Sequence, residues 1–132
     1  MTTQTILNPD LHRLAEKMGL KLVRHSGGPK GFYHHPSRTI TTRRGLSIAE
    51  YRSTLAHELG HAYYSDEPTP DPVRDARQEA RANRWAANLL LAGQDVEKAL
   101  ICNGNHIKPA AYELEVTATI LRVWLEMQKK GP

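Results

Sequence analysis

The segment "LAHELGHAYYS" (residues 55–65) holds His57 and His61 four positions apart, with Glu58 directly after the first histidine. On a helix, positions i and i+4 lie one above the other on one face, so the two imidazoles converge on one point. Such a pair of nitrogen donors suits a divalent metal, Zn2+ above all, which takes histidine, cysteine and carboxylate ligands in a tetrahedron. Manganese or another divalent ion could compete for the same donors. Glu58 lies roughly 100° round the helix from His57. That is too far round to ligate easily, yet close enough to take a proton from a water acidified by the metal. The chemistry implied is metal-assisted hydrolysis, and H-E-x-x-H on a helix is the order that metal-dependent peptidases use.

Two histidines do not complete a site. Asp66, Asp71, Asp75, Glu79 and His106 are the candidates for a third ligand. Glu79 is the best placed of them. It opens a face of small residues, Ala82, Asn83, Ala86, Ala87 and Leu90, at helical spacing. A carboxylate on an alanine-lined face can be drawn close to the first helix. Asn83, one turn on, is placed to hold the carboxylate or a histidine as a supporting partner. Asp66 and Asp75 read as loop or helix-surface charges. Tyr63, Tyr64, His34, His35 and His106 are candidates for a donor to a developing oxyanion. Of the tyrosines, Tyr64 is the one that could face the metal. His12 and His25 read as surface residues.

The elements that must position these groups are legible in part. Pro9 to Met18 reads as a short helix closed by Gly19, and "KLVRH" (21–25) as a strand. "SGGPKG" is a turn or loop by its glycine and proline content, and "FYHH" and "RTITTR" are two further short strands joined by "PS". An extended substrate is expected to pair with the edge of this sheet at the "RTITTR" strand. Ser47 and Glu50 form a capping box, which starts a helix running to Tyr64 with Ile48, Tyr51, Leu55, Leu59 and Ala62 as its apolar stripe. Gly60 inside that helix costs roughly 1 kcal/mol of propensity relative to alanine, which makes sense where another backbone must come close. Asp71-Pro72 starts the next helix, which runs to about Leu91. A short helix follows from Gln94 to about Cys102, and Pro109 opens a last helical region to about Lys129.

The chain of 132 residues suits one domain (1–132), with a core at about 8–93 and a helical segment at 94–132. Composition is that of a globular protein, 39% hydrophobic and 24% charged, and the net charge of +4 permits an acidic partner without requiring one. The single cysteine, Cys102, cannot form an internal disulfide, which fits a reducing compartment. The first twenty residues lack a basic region leading an apolar run, so no signal peptide is expected, and no stretch has the length of a membrane span. These features point to the cytoplasm. The expected architecture is α+β: a small antiparallel sheet, an active-site helix, a glutamate helix and helical closure at the C-terminus.

"TLAHELGHAYY" followed by "EARANRWAANLLLA" resembles the zinc metallopeptidases of the ImmA/IrrE type, whose pattern is HELGH and then E-x-x-A-N-x-F-A-A-x-L-L-M-P. Glu79, Ala82, Asn83, Ala86, Ala87, Leu89 and Leu90 fill the second motif, and the resemblance covers roughly residues 10 to 92. Trp85 stands in for the usual aromatic, Leu91-Ala92 for Met-Pro, and Ser65 for a histidine that many members carry. The resemblance implies a minimal gluzincin-like site: His57, His61 and Glu79 on Zn2+, with Glu58 as the base. It also implies a cytoplasmic endopeptidase, encoded by a phage, mobile element or stress-response system, that inactivates a helix-turn-helix repressor.

Residues 107–128 carry a second pattern. Ala110-Ala111, Leu114 and then Val116-Thr117 ahead of Ile120, Trp124 and Leu125 look weakly like a helix-turn-helix, a segment that longer members of the resembled family also carry. Glu115 occupies the turn position where glycine is common, and only Arg122 supplies a cation inside the second helix. The segment therefore reads as a helical cap rather than a reader of DNA. Two other readings of the chain stay in view. One is a non-catalytic zinc-binding regulatory module acting by protein or DNA binding. The other is a broad-specificity minimal gluzincin protease.

Overall fold

A computed structural model describes residues 9–130. The element order is α1 (Leu11–Lys17), β1 (Lys21–His25), β2 (Gly31–His34), β3 (Thr39–Arg43), α2 (Ile48–Tyr63), α3 (Pro72–Leu91), α4 (Val96–Cys102), α5 (Ile107–Glu113) and α6 (Ala118–Lys130). The α+β class and each of the strands and helices read from the sequence are present, and the last helical region divides in two.

The sheet is mixed, not antiparallel. Its strand order is β1-β3-β2, with β1 parallel to β3 and β2 antiparallel to β3. Burial explains the order. Ile40, Thr41 and Thr42 of β3 are all buried, so this strand takes the centre, while Lys21, Val23 and Arg24 leave β1 an exposed edge. Gly27 and Gly28, both at positive φ (68° and 71°), carry the chain past the end of the central position to the far edge. The "RTITTR" strand is therefore flanked on both sides and offers no edge to a substrate. The edges are β1 and β2.

The helices begin where their caps dictate. Ser47 Oγ accepts from the Glu50 N–H at 3.2 Å, and Glu50 Oε1 accepts from the Ser47 N–H at 3.1 Å. Asp71 Oδ1 accepts from the Val73 N–H at 3.0 Å, with Pro72 in the first turn. Leu55 and Leu59 of α2, Leu90 of α3, Ile40 of β3 and Leu121 of α6 are fully buried together in the core. Ile48, placed on the apolar stripe by spacing, is 66% exposed, because the first turn of α2 projects beyond the core.

Helices α2 and α3 pack closely at Gly60. A Cβ there would lie 3.1 Å from the Ala82 carbonyl oxygen and 3.2 Å from its Cα. The C-terminal pair is latched to α2 at its turn. Arg52 donates to the Glu115 carbonyl at 2.9 Å, and Ser53 Oγ accepts from the Thr117 N–H at 3.0 Å. Glu115 has φ 59°, the left-handed backbone usually given to glycine, so the turn between α5 and α6 is sharp despite its side chain. Ile120 and Leu121 are buried, and α6 packs against α3.

Candidate metal centre

The buried face of α2 holds His57, Glu58 and His61, and the first half of α3 brings Glu79 across to them. His57, His61 and Glu79 each offer a ligand atom, all within 4.8 Å of one another. The two Nε2 atoms are 3.1 Å apart, and His57 Nε2 is 3.2 Å from Glu79 Oε1. His61 Nε2 is 2.5 Å from Glu79 Oε2. Ligands at about 2.0–2.1 Å in a tetrahedron are separated by about 3.3 Å, so this spacing suits Zn2+.

The outer nitrogens of both rings are committed. Asn83 Oδ1 lies 2.7 Å from His57 Nδ1, and Asp66 Oδ2 lies 2.9 Å from His61 Nδ1. Both partners are oxygen acceptors, so each Nδ1 donates and each Nε2 keeps its lone pair. Two nitrogen lone pairs and a carboxylate then face one another at hydrogen-bond distance with no donor among them. Such a group of acceptors repels itself unless a cation sits between them. A proton is a poor choice, because burial, the largest influence on the His57 imidazole, holds it below its ordinary pKa. The donor set therefore fits a metal ion.

Glu58 is 6% exposed and takes no part in that cluster. Burial pushes its carboxyl up to about 7; nearby His61 opposes the rise and the charge of Glu79 adds to it. Glu58 lines two clefts that meet at the centre. One, of roughly 280 Å³, runs beside β2 past His61 and Glu79 to Glu67 and Pro68. The other, of roughly 270 Å³, passes His57 and Asn83 to Thr117 and Ile120. Gly31 borders both. A Cβ on Gly31 would stand 2.6 Å from Thr54 Cγ2 and 3.4 Å from Glu58 Cγ, so only glycine lets edge strand β2 press against α2 here.

Spacing did not assign Asp66 this place. It reads in sequence as a loop charge, whereas its carboxylate is buried and joins His61 to Arg81, whose Nη2 donates to Asp66 Oδ1 at 2.6 Å. The cause is the way α2 ends. Ser65 adopts φ 56°, its N–H returns to the Ala62 carbonyl and the Asp66 N–H to the His61 carbonyl, so the chain folds back over the last turn. A glycine at position 65 would have announced this turn. Serine hides it.

The remaining candidates lie elsewhere. Asp71 caps α3, and Asp75 lines the cleft outside the metal cluster. His106 is the exposed residue preceding α5. His34 bonds Ser37 and His35 bonds Tyr33, both at the β2–β3 turn. Tyr64 does not face the metal cluster. Its ring lies 4.0 Å below the Arg81 guanidinium and borders a separate cleft. Tyr63 is 62% exposed beside Trp85. Among the described residues, no helix is long and apolar enough to cross a membrane.

The peptidase family model Peptidase_M78, described as IrrE N-terminal-like domain, matches residues 15–125. No curated protein matches the chain.

Proposed function

The chain belongs to the Peptidase_M78 family of IrrE N-terminal-like domains, and from that premise we propose that it is a zinc-dependent endopeptidase of the gluzincin type. The carrying observation is the acceptor cluster of His57, His61 and Glu79, with both imidazoles turned by Asn83 and Asp66 so that their lone pairs meet. These three residues would hold Zn2+. The ion supplies Lewis acidity, which makes water acidic near neutral pH and polarises a peptide carbonyl.

The protein's own groups do the rest. Glu58 accepts the proton of the attacking water and passes it to the leaving amine, and a carboxyl near pKa 7 is matched to both transfers. Its burial between β2 and α2 keeps bulk water from it. Among the described residues the outer edge of β2 has no strand partner, so it offers main-chain hydrogen bonds to an extended substrate, and the two clefts on either side of Glu58 receive the flanking side chains.

The substrate in this reading is a helix-turn-helix transcriptional repressor of a phage, mobile element or stress-response system, inactivated by cleavage in the cytoplasm. Its support is the family and the paired motifs around His57 and Glu79. The test is incubation of the zinc-loaded protein with a repressor encoded beside it, followed by intact-mass analysis. A single cut made by the native chain and absent with Glu58→Gln is the expected result. An intact repressor alongside hydrolysed casein would point instead to a broad-specificity protease. Full biological function in Glu58→Gln would leave a zinc-binding regulatory module.

A further inference from the structure

Helix α3 presents two chemically opposed faces. Asp75 and Glu79 line the metal cleft, while Arg74, Arg77, Arg81 and Arg84 line a separate cleft of roughly 480 Å³ on the adjoining face. The arginines recur at i, i+3, i+7 and i+10, a row about 15 Å long. Among the described residues only Arg81 of this row has an ion pair, with Asp66. Like charges three and four apart cost helix stability, so the row is not there to hold the helix together.

Tyr64 lines the same cleft, and two further rings follow on from it. Tyr64 lies under Arg81, Tyr63 meets Tyr64 edge-on at 5.0 Å, and Trp85 stands 5.6 Å from Tyr63. Arginine, tyrosine and tryptophan are the residues that dominate protein interfaces. The two clefts also share a border, since Asp66 and Gln78 line both. A polypeptide leaving the metal cleft past Asp66 and Gln78 would enter the arginine cleft.

We propose that the arginine face of α3 docks an acidic segment of the protein substrate, lying in the substrate's sequence close to the bond that is cut; this rests on the peptidase reading above. Guanidinium groups pair carboxylates in two-pronged fashion, which gives a line of arginines selectivity for an acidic run. A single extended or helical segment is narrow enough to follow the row. A nucleic-acid duplex is broader than one helix face and would bring phosphates against Asp71, Asp75 and Glu79 on the same helix.

The experiment uses the zinc-loaded full chain carrying Glu58→Gln, so that binding is read without turnover. Its probes are a fluorescent peptide alternating glutamate and glycine, the matching lysine peptide, and a fluorescent oligonucleotide, followed by anisotropy. The comparison is a form that adds Arg74→Ala, Arg77→Ala and Arg84→Ala and keeps Arg81, which holds Asp66. The expected result is binding of the glutamate peptide alone, weakened about tenfold in the arginine variant and weakened by salt, as loss of three exposed charge pairs implies. Equal binding of glutamate and lysine peptides, or binding unchanged in the variant, overturns the proposal. So does tighter, arginine-dependent binding of the oligonucleotide. A second arm separates this from the parent reading. With Glu58 restored, the triple variant should cleave a neutral fluorogenic peptide as the native chain does, and should lose kcat/KM through KM when that peptide carries a glutamate tail. Arginine-dependent binding in a protein that hydrolyses neither peptide would retain the docking surface and overturn the peptidase reading instead.

Discussion

Gly60→Ala sets two effects of opposite sign against each other. Helix propensity alone favours alanine by about 1 kcal/mol at an interior position. The structure opposes it, because the added Cβ would lie 3.1 Å from the Ala82 carbonyl oxygen, 3.2 Å from its Cα and 3.4 Å from its Cβ. The nearest two are backbone atoms of buried Ala82 in α3, so no side chain can rotate away. The helices must separate by a few tenths of an ångström, and overpacking of this kind costs about 1–3 kcal/mol. Packing wins, and the metal-free protein should lose about 1 kcal/mol, a fall in Tm of about 3–6 °C for a chain of this size. The same separation moves Glu79 away from His57 and His61, so zinc affinity should fall as well. Thermal unfolding should be followed in chelator, because bound metal would add its own stabilisation, and zinc affinity measured by competition with a chromogenic chelator. A rise in Tm would refute the reasoning, since propensity would then have prevailed over contact. Adding Ala82→Gly removes only the 3.4 Å contact and should restore little of the loss. Full restoration would show that the clash is with the side chain.

Further expectations concern the centre itself. Glu58 titrates at about 7 in the folded protein against an ordinary 4.5, so its contribution to stability is fully present below pH 4.5 and is lost as pH rises through 7. Metal-free Glu58→Gln should therefore gain on the native chain across that window, by about 3 kcal/mol at pH 8, and denaturant melts showing a constant difference with pH would contradict this. Asp66→Asn removes the charge between His61 and Arg81 and should weaken zinc binding about 10–100-fold by calorimetry; an unchanged affinity would show that His61 needs no orienting carboxylate. Tyr64→Phe should leave peptide hydrolysis within about twofold, whereas loss of an oxyanion donor costs about 10²–10³ in kcat. A loss of that larger size would place Tyr64 in the site after all.

Local chemistry made much of this protein legible in its sequence. The capping box at Ser47 and the Asp71-Pro72 start fixed where α2 and α3 begin, because caps act through neighbouring backbone groups. Helical spacing put His57 beside His61 and brought Asn83 and Glu79 to one side of α3, because the period of a helix is the same in every fold. Gly60 signalled a close approach because its propensity cost had no local return. The sheet order was not legible. Alternation marks a strand but not its neighbours, and β3 is central because β1 and β2 pair with it on either side. Gly31 resembled any loop glycine until β2 was laid against α2. Asp66 resembled a surface charge until the left-handed Ser65 folded it back on His61. Tyr64 shares the helical phase of His57 in sequence, yet its ring is taken by Arg81 of α3. The division of α3 into a carboxylate face and an arginine face is written in its spacing, but what each face meets depends on the helix crossing at Gly60 and Ala82. The residues able to do chemistry are set by type and period, both local. Their partners come from distant segments, and only the packing of those segments decides them.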